Sequence, residues 1–494
     1  MKRMLLVSAA AVAVIGCRTN KAILDDYEKS LTFGRYAEPV AEIAGKADEG
    51  GVDELMWRLH LGSSRYLTRE WREAVCQFDL AEDLFADHDG ASAAGKAVDS
   101  TFAMLTNDRA LPFTGTGSDR VFVSLYKAID YGANNEMAAM RTELNRAAEH
   151  QNLWLDERRA EIARAARKLN EDARAYEKSE SAKRGNPDGS SAPSGVAAAS
   201  TMRKKAFADA DFGAQIQAKC AFNPATDGRL EDLARKDWIN VYAEHVTGVF
   251  RWLSGDSDAA AFLRETAALR PANAAVQADY AAVRARALPK DRVWVFVEDG
   301  LCPTREEWRL DLPIVFIPYA NRYVLYAGMA LPYLRDRDVG SMSYHVDAGG
   351  AKYVMEEIED LDRLIRTEYK VYMRGCLARE ITRTIIKVGS QVALGIAAEH
   401  ANDSRTALGL RIGQASSAAW AAAVTQADLR SWTALPKRVL LRAVKRPANG
   451  VISLSGDGMP IAEIPVPEGN SLVFVRKPAR AAAPVVKVVT FPNR

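Results

Sequence analysis

Raw material for metal and redox chemistry is scarce in this chain, which carries five cysteines and six histidines among 494 residues. Their spacing forms no CxxC pair, no zinc-finger pattern and no HExxH. G-x-S-x-G and Walker sequences are missing too, so neither a nucleophile elbow nor a phosphate loop is written into the chain. An excess of one charge is also missing. Lys and Arg total 66 against 64 Asp and Glu, a formal +2. With no dense basic run, nothing is expected to neutralise a nucleic-acid backbone. The expectation is no catalytic residue, no cofactor, no resident metal and no nucleic-acid partner. What is present is ordinary globular material, 48% apolar and 26% charged. The length suits about three domains at ~150 residues each.

The first residues, MKRMLLVSAAAVAVIGC, form a secretory leader. Lys2 and Arg3 are its positive head, and the apolar run at 4–15 has twelve residues, too short for the ~18–20 of a spanning helix. Val14-Ile15-Gly16-Cys17 resembles the lipobox of bacterial lipoproteins. That resemblance implies cleavage after residue 16 and acylation of Cys17, the one modification site expected. Several acyl chains on one cysteine anchor stably, because each buried CH₂ contributes ~0.8 kcal/mol. Arg18 stands where an inner-membrane retention signal would place Asp, which by resemblance to Gram-negative lipoproteins implies the outer membrane; a periplasm-facing placement is expected, with surface exposure left open. Cys76, Cys220, Cys302 and Cys376 then face an oxidising compartment. Cys76 is expected to be a small buried residue of a helix. A Cys220–Cys302 disulfide is allowed, and nothing else in the sequence supports it.

Residues 17–178 and 207–288 read as helical. The stretch LHLGSSRYLTREWREAVCQFDLAEDLF, 59–85, has apolar positions at helical spacing and resembles one tetratricopeptide repeat (TPR). Gly62 and Ala74 would let two helices approach and Phe78 would fill the groove, although Arg58 and Arg65 replace the Trp and Tyr of the signature. A second pair runs over 121–150 and continues as a charged helix to 178. FTGTGSDRV between the two pairs reads as a loop. A third pair, 230–286, has Gly248 for close packing, Gly255-Asp256 as the turn and Pro271 as the stop. Residues 179–206 are rich in Ser, Gly, Pro and Ala, a flexible insertion that cannot bury enough surface to order itself.

Residues 289–494 form the C-terminal part, read as a mixed β-sheet domain with long Ala-rich helices. Strands are expected at 293–300, 313–319, 323–334, 341–347, 438–444, 451–456, 460–466 and 471–477. A long helix is expected over 352–400 and another over 408–424. Lys387, Gln391, Arg411 and Gln414 interrupt these two, which makes spanning a membrane costly. They are expected to pack as a helical hairpin on the sheet, with a membrane-associating hairpin as the alternative. The fold class is therefore α+β, with TPR-like helices first and a β-sheet domain second.

VWVFVEDGLCPTREEWRLDLPI (293–314), YVLYAGMALPYL (323–334) and DLRSWTALPKR (428–438) resemble a family of uncharacterised bacterial exported lipoproteins with TPR-like N-terminal regions. That resemblance implies a cell-envelope role, near lipoproteins that activate cell-wall synthases, and no activity. The leading expectation is a lipid-anchored, non-enzymatic scaffold that binds a protein or peptide partner through its helices. Two alternatives stay open. One is a structural subunit of an envelope assembly. The other is an envelope hydrolase built on the 293–311 cluster, where Glu298, Asp299, Arg305, Glu306, Glu307, Arg309 and Asp311 surround Cys302 and Trp308. Paired carboxylates can act as acid and base, but strand-end carboxylates beside arginines are more often structural ion pairs. His345 and His400 are isolated in the sequence.

Overall fold

The computed structural model describes residues 19–90, 108–154, 156, 160, 210–227, 235–317, 322–399, 401 and 403–493. The leader, Cys17, residues 161–178 of the charged helix, the 179–206 insertion and His400 lie outside these.

Helices come first, and their ends follow from sequence. Helix α1 (Asn20–Phe33) opens on Thr19, whose hydroxyl accepts from the Ala22 N–H, and closes on Gly34 in the left-handed region. Then come α2 (Val40–Asp48), α3 (Glu54–Leu67) and α4 (Trp71–Gly90). Gly62 permits the close approach of α3 and α4: a Cβ there would lie 2.5 Å from the Phe78 ring. The glycine pair of FTGTGSDRV turns out to be a helix start. Thr116 and Asp119 form a capping box that opens α5 (Gly117–Ala133). Helix α6 spans 137–154, followed by α7 (Ala210–Cys220) and α8 (Arg235–Trp238). Helices α9 (Val241–Ser254), α10 (Ala259–Leu269) and α11 (Ala274–Arg284) complete the run. Gly255 turns α9 into α10, and a Cβ on Gly248 would lie 2.8 Å from Leu263.

The strands are β1 (Arg292–Asp299), β2 (Thr304–Ile317), β3 (Arg322–Arg335), β4 (Tyr344–Ala348), β5 (Ala351–Val354) and β6 (Glu356–Asp360). After helices α12 (Leu361–Glu399) and α13 (Ser404–Val424) come β7 (Arg438–Lys445), β8 (Val451–Gly456), β9 (Met459–Pro465), β10 (Asn470–Lys477) and β11 (Val485–Phe491). A five-stranded sheet has the order β11-β10-β1-β7-β6, with only β1 and β10 parallel. A four-stranded antiparallel sheet has the order β5-β4-β8-β9.

Strand β1 explains the layering. Its odd positions, Val293, Val295 and Val297, join a core with Tyr344, Val346, Ile452 and Leu454 of the smaller sheet. Its even positions, Trp294 and Phe296, join a second core with the helices, which includes Phe122, Tyr242 and Trp252. A strand buried on both faces reads as a continuous apolar run, as VWVFV does. The molecule is thus mixed α and β, in three layers: helices, five-stranded sheet, four-stranded sheet. One core crosses residue 289, so the change from helix to strand there is not a break in packing.

The third substructure is an arm. Strands β2 and β3, fourteen residues each, pair only with one another among the described strands. Helices α12, with 39 residues, and α13, with 21, pack against each other and on β3. At ~3.4 Å per strand residue and 1.5 Å per helical residue the hairpin is about 45 Å long and α12 about 58 Å. The root of the arm has its own core of Ile216, Cys220, Leu331, Tyr369, Met373 and Leu377.

Several expectations are corrected. Residues 304–311, between two expected strands, are themselves strand, so the expected strands at 313 and 323 belong to one long hairpin. The helix expected from 352 begins at Leu361. The Gly349-Gly350 turn, with φ of 66° and 86°, folds the chain back into β5, and β6 then adds to the edge of the main sheet. Strand β11 was not expected. Cys76 is exposed, because Ala74, Phe78, Ala81 and Phe85 set the buried face of α4 and position 76 falls opposite. The helical hairpin packs on β3 of the arm rather than on the main sheet.

Candidate functional site

The carboxylates of 293–311 are placed on different faces with different partners. Glu298, at the end of β1, points into the helical core, where it accepts from Tyr242 Oη at 2.8 Å and Tyr126 Oη at 3.2 Å. Burial raises its pKa, opposed by the Arg476 charge. Asp299 points the other way and accepts from the Gly340 N–H at 2.8 Å, Tyr344 Oη at 2.7 Å and Arg438 Nε at 3.0 Å. Glu306 accepts from Tyr333 Oη, which holds its pKa down, and meets Arg335 Nε at 2.6 Å. Glu307 accepts from the Ala427 N–H at 2.7 Å. Arg305 stacks over the Tyr372 ring at 4.4 Å, Arg309 donates to the Ala422 carbonyl at 3.2 Å, and Trp308 packs against the core of the arm. Asp311 stands opposite Gly328 in the hairpin. These contacts make ion pairs and strand-to-helix ties. Sequence neighbours on a strand alternate between faces, so Glu298 and Asp299 do not converge.

Cys302 is buried, and that burial pushes its thiol up to about 11, which leaves little thiolate near neutral pH. Cys76, Cys220, Cys302 and Cys376 are all free, and Cys220 belongs to the arm core while Cys302 belongs to the helical core. His345 lies on β4 opposite Val354. Among the described residues no group of His, Cys, Asp and Glu is arranged to hold a metal ion.

A different pair of carboxylates does converge. Asp119 caps α5, and Glu368 of α12 accepts from the N–H of Ser118, one residue away, at 2.8 Å. Burial pushes Asp119 up to about 6. Burial, then the nearby charge of Asp119, pushes Glu368 up to about 7. Both line a cavity of about 30 Å³ with Cys302, Arg305 and Arg430, room for about one water. Their physical job is plain: exposed N–H groups at a helix start need acceptors. The pair holds protons near neutrality but leaves no volume for a substrate.

Arg305 and Arg430 also line an adjoining surface cleft of about 90 Å³. Its other walls are Thr19, Lys21 and Asp25 of the first helix, Glu306 and Arg335 at the hairpin root, and Arg109. Arg430 is committed to Asp428 at 2.8 Å and Asp53 at 3.0 Å, and Arg335 to Glu28 at 2.9 Å. Arg109 donates to Gln426 Oε1 at 3.0 Å, and Arg305 has the Tyr372 ring. Neither makes an ion pair among the described residues. The cleft therefore keeps spare positive charge where the start of α1, the root of the arm and the end of α13 meet.

This convergence has no sequence signal, since Thr19, Arg305 and Arg430 are scattered along the chain. Comparison with protein families, with curated proteins and with solved structures gives no match for this chain.

Proposed function

We propose that the chain is a lipid-anchored, non-enzymatic scaffold of the bacterial cell envelope, a periplasm-facing outer-membrane lipoprotein acylated at Cys17. The observation that carries this reading is the position of Thr19. It caps α1 at the rim of a surface cleft, and Cys17 precedes it by two residues in the sequence, so acyl chains on Cys17 would attach close to that surface. The helix pairs act as TPR-like units that hold a protein or peptide partner. Supporting this are the two small-against-large contacts, Gly62 on Phe78 and Gly248 on Leu263. Their inner face packs on the protein's own sheet and on Trp432, whose ring lies 5.8 Å from Phe78 and 6.1 Å from Tyr126. A partner therefore meets the outer helix faces or the arm.

The test is metabolic palmitate labelling of the native chain and of Cys17→Ala, with crosslinking in living cells. Label on the native chain alone, together with a recurring crosslinked neighbour, supports the reading. An unlabelled native chain that washes out of the envelope defeats it. The hydrolase alternative draws on one observation, the proton-holding pair Asp119 and Glu368. It requires Glu368→Gln to abolish function while leaving folding intact.

A further inference from the structure

Among the described residues, one face of α13 is exposed and carries a row of apolar side chains. Leu408, Ile412 and Trp420 are 59%, 58% and 47% exposed. They fall on a single row of four-residue steps, with Ser416 between them, so they form one stripe along the helix. The opposite side is satisfied: Ala418 and Ala421 are buried against the rest of the arm. Between Ser404 and Gln426 there is no carboxylate, and the charged residues are Arg405 and Arg411. An exposed helix of this composition is poorly suited to water. No helix among the described residues is long and apolar enough to cross a membrane.

The position of this helix identifies what covers it. Gln426, just past the end of α13, is tied to Arg109, and Arg109 shares its cleft with Thr19. Two residues of extended chain reach at most ~7 Å, so Cys17 lies that close to the cleft. Acyl chains on Cys17 would bring a bilayer to the C-terminal end of α13. A helix that ends at a bilayer, carries apolar side chains outward and is cationic where charged is suited to lie along that bilayer.

We propose that the outward face of α13 rests in the headgroup–acyl boundary of a bilayer containing anionic lipid, beside the anchor. The proposal rests on the lipid-anchor reading for its geometry. Leu408 and Ile412 enter the acyl boundary, and Trp420 sits at headgroup level, where indole rings are favoured. Arg405 and Arg411 extend their stems along the apolar face and place their guanidinium groups among lipid phosphates. The spare charge of Arg109 and Arg305 at the near end adds to the same attraction. The contact makes the protein lie down on the membrane instead of swinging from a two-residue tether.

The experiment floats the mature chain, residues 17–494 carrying Cys17→Ala, with vesicles of phosphatidylethanolamine and phosphatidylglycerol. It is repeated with Leu408→Glu, Ile412→Glu and Trp420→Glu added together. Acylation is absent from both chains, so a failure of the anchor reading, measured separately by palmitate labelling, leaves this comparison intact. The expected result is a loss of vesicle binding of at least about tenfold in the triple variant, with an unchanged melting temperature. Replacing phosphatidylglycerol by phosphatidylcholine weakens binding of the parent. Equal flotation of the two chains overturns the proposal, as does a parent that does not float. A parent that sediments as a dimer, dissolved to monomer by the triple change and indifferent to vesicles, assigns the face to a second copy and also overturns it. Should the glutamate chain misfold, Leu408→Ser, Ile412→Ser and Trp420→Ser take its place with the same expectations.

Discussion

The body and the outer end of the arm handle their polar groups differently. In the body, several buried charges are matched by a partner of opposite sign. Asp279, fully buried, accepts from Trp294 Nε1 at 2.8 Å, pairs with Arg292 at 2.7 Å and meets His245 at 3.2 Å. Glu359, also fully buried, pairs with Arg270 and Arg363 at 3.0 Å each and accepts from the Val241 N–H, which opens α9. The outer end of the arm has few charges and leaves apolar side chains in the open. Buried matched charges fix one arrangement of packed layers, because any other leaves an ion stranded. Exposed apolar groups do nothing for the fold and contribute only when something covers them. The body is organised by its own contacts, whereas the arm is where the proposed contact outside the molecule would form.

Four measurements sharpen or break this contrast. The largest effect is expected from Asp279→Ala, which strands Arg292, His245 and the Trp294 N–H together. Denaturant unfolding should show a loss of about 3–5 kcal/mol, and a loss below ~1 kcal/mol would show that the matched charges do not organise the body. Next is Gly62→Val. A side chain there meets Phe78, which is itself held by Trp432 and Tyr126, so overpacking should cost about 1–3 kcal/mol.

The third measurement concerns pH. Glu368 has its carboxyl raised to about 7, so its protonated form stabilises the fold. That contribution is complete below the unfolded pKa and is lost as pH rises through about 7. Melting temperature should fall between roughly pH 5 and pH 8 in the native chain. Glu368→Gln should flatten that fall and stabilise by about 1–3 kcal/mol at the upper end. Parallel profiles for the two chains would remove the buried pair as the cause. The smallest effect is reserved for the arm: Trp420→Ser should change stability by less than ~0.5 kcal/mol in calorimetry. A larger loss would mean that its indole ring supports the fold.

Local chemistry was legible in the sequence. Gly62, Gly248 and Gly255 were expected to permit close helices or a turn, and each does. VWVFV was legible as a strand because a doubly buried strand needs apolar residues at every position. Contacts between distant segments were not legible. Residues 352–360 were expected to be the start of the long helix, since nothing local shows that Arg270 waits to pair with Glu359. The Asp119–Glu368 pair joins positions on α5 and α12 that no motif links. TGTG was legible as irregular chain but not as a helix cap, because the cap depends on Asp119 folding back onto Thr116. The root cleft was hidden for the same reason. A sequence shows what each residue prefers nearby, and this site is made of meetings across the chain.

The parallel pairing at the centre of the main sheet sets a timetable for biogenesis. Strand β1 ends at Asp299, yet the neighbour that completes it, β10, begins only at Asn470. The helices that emerge first expose Phe122, Tyr242 and Trp252 with no sheet to receive them. A chain whose early half waits for its late half must be shielded until synthesis is nearly finished. Under the proposed export this delay would be useful, since translocation through a secretory pore requires a polypeptide that has not yet closed. A stop codon before residue 470 would leave the early helices without their cover, so truncation products should be found with chaperones and proteases rather than at the destination.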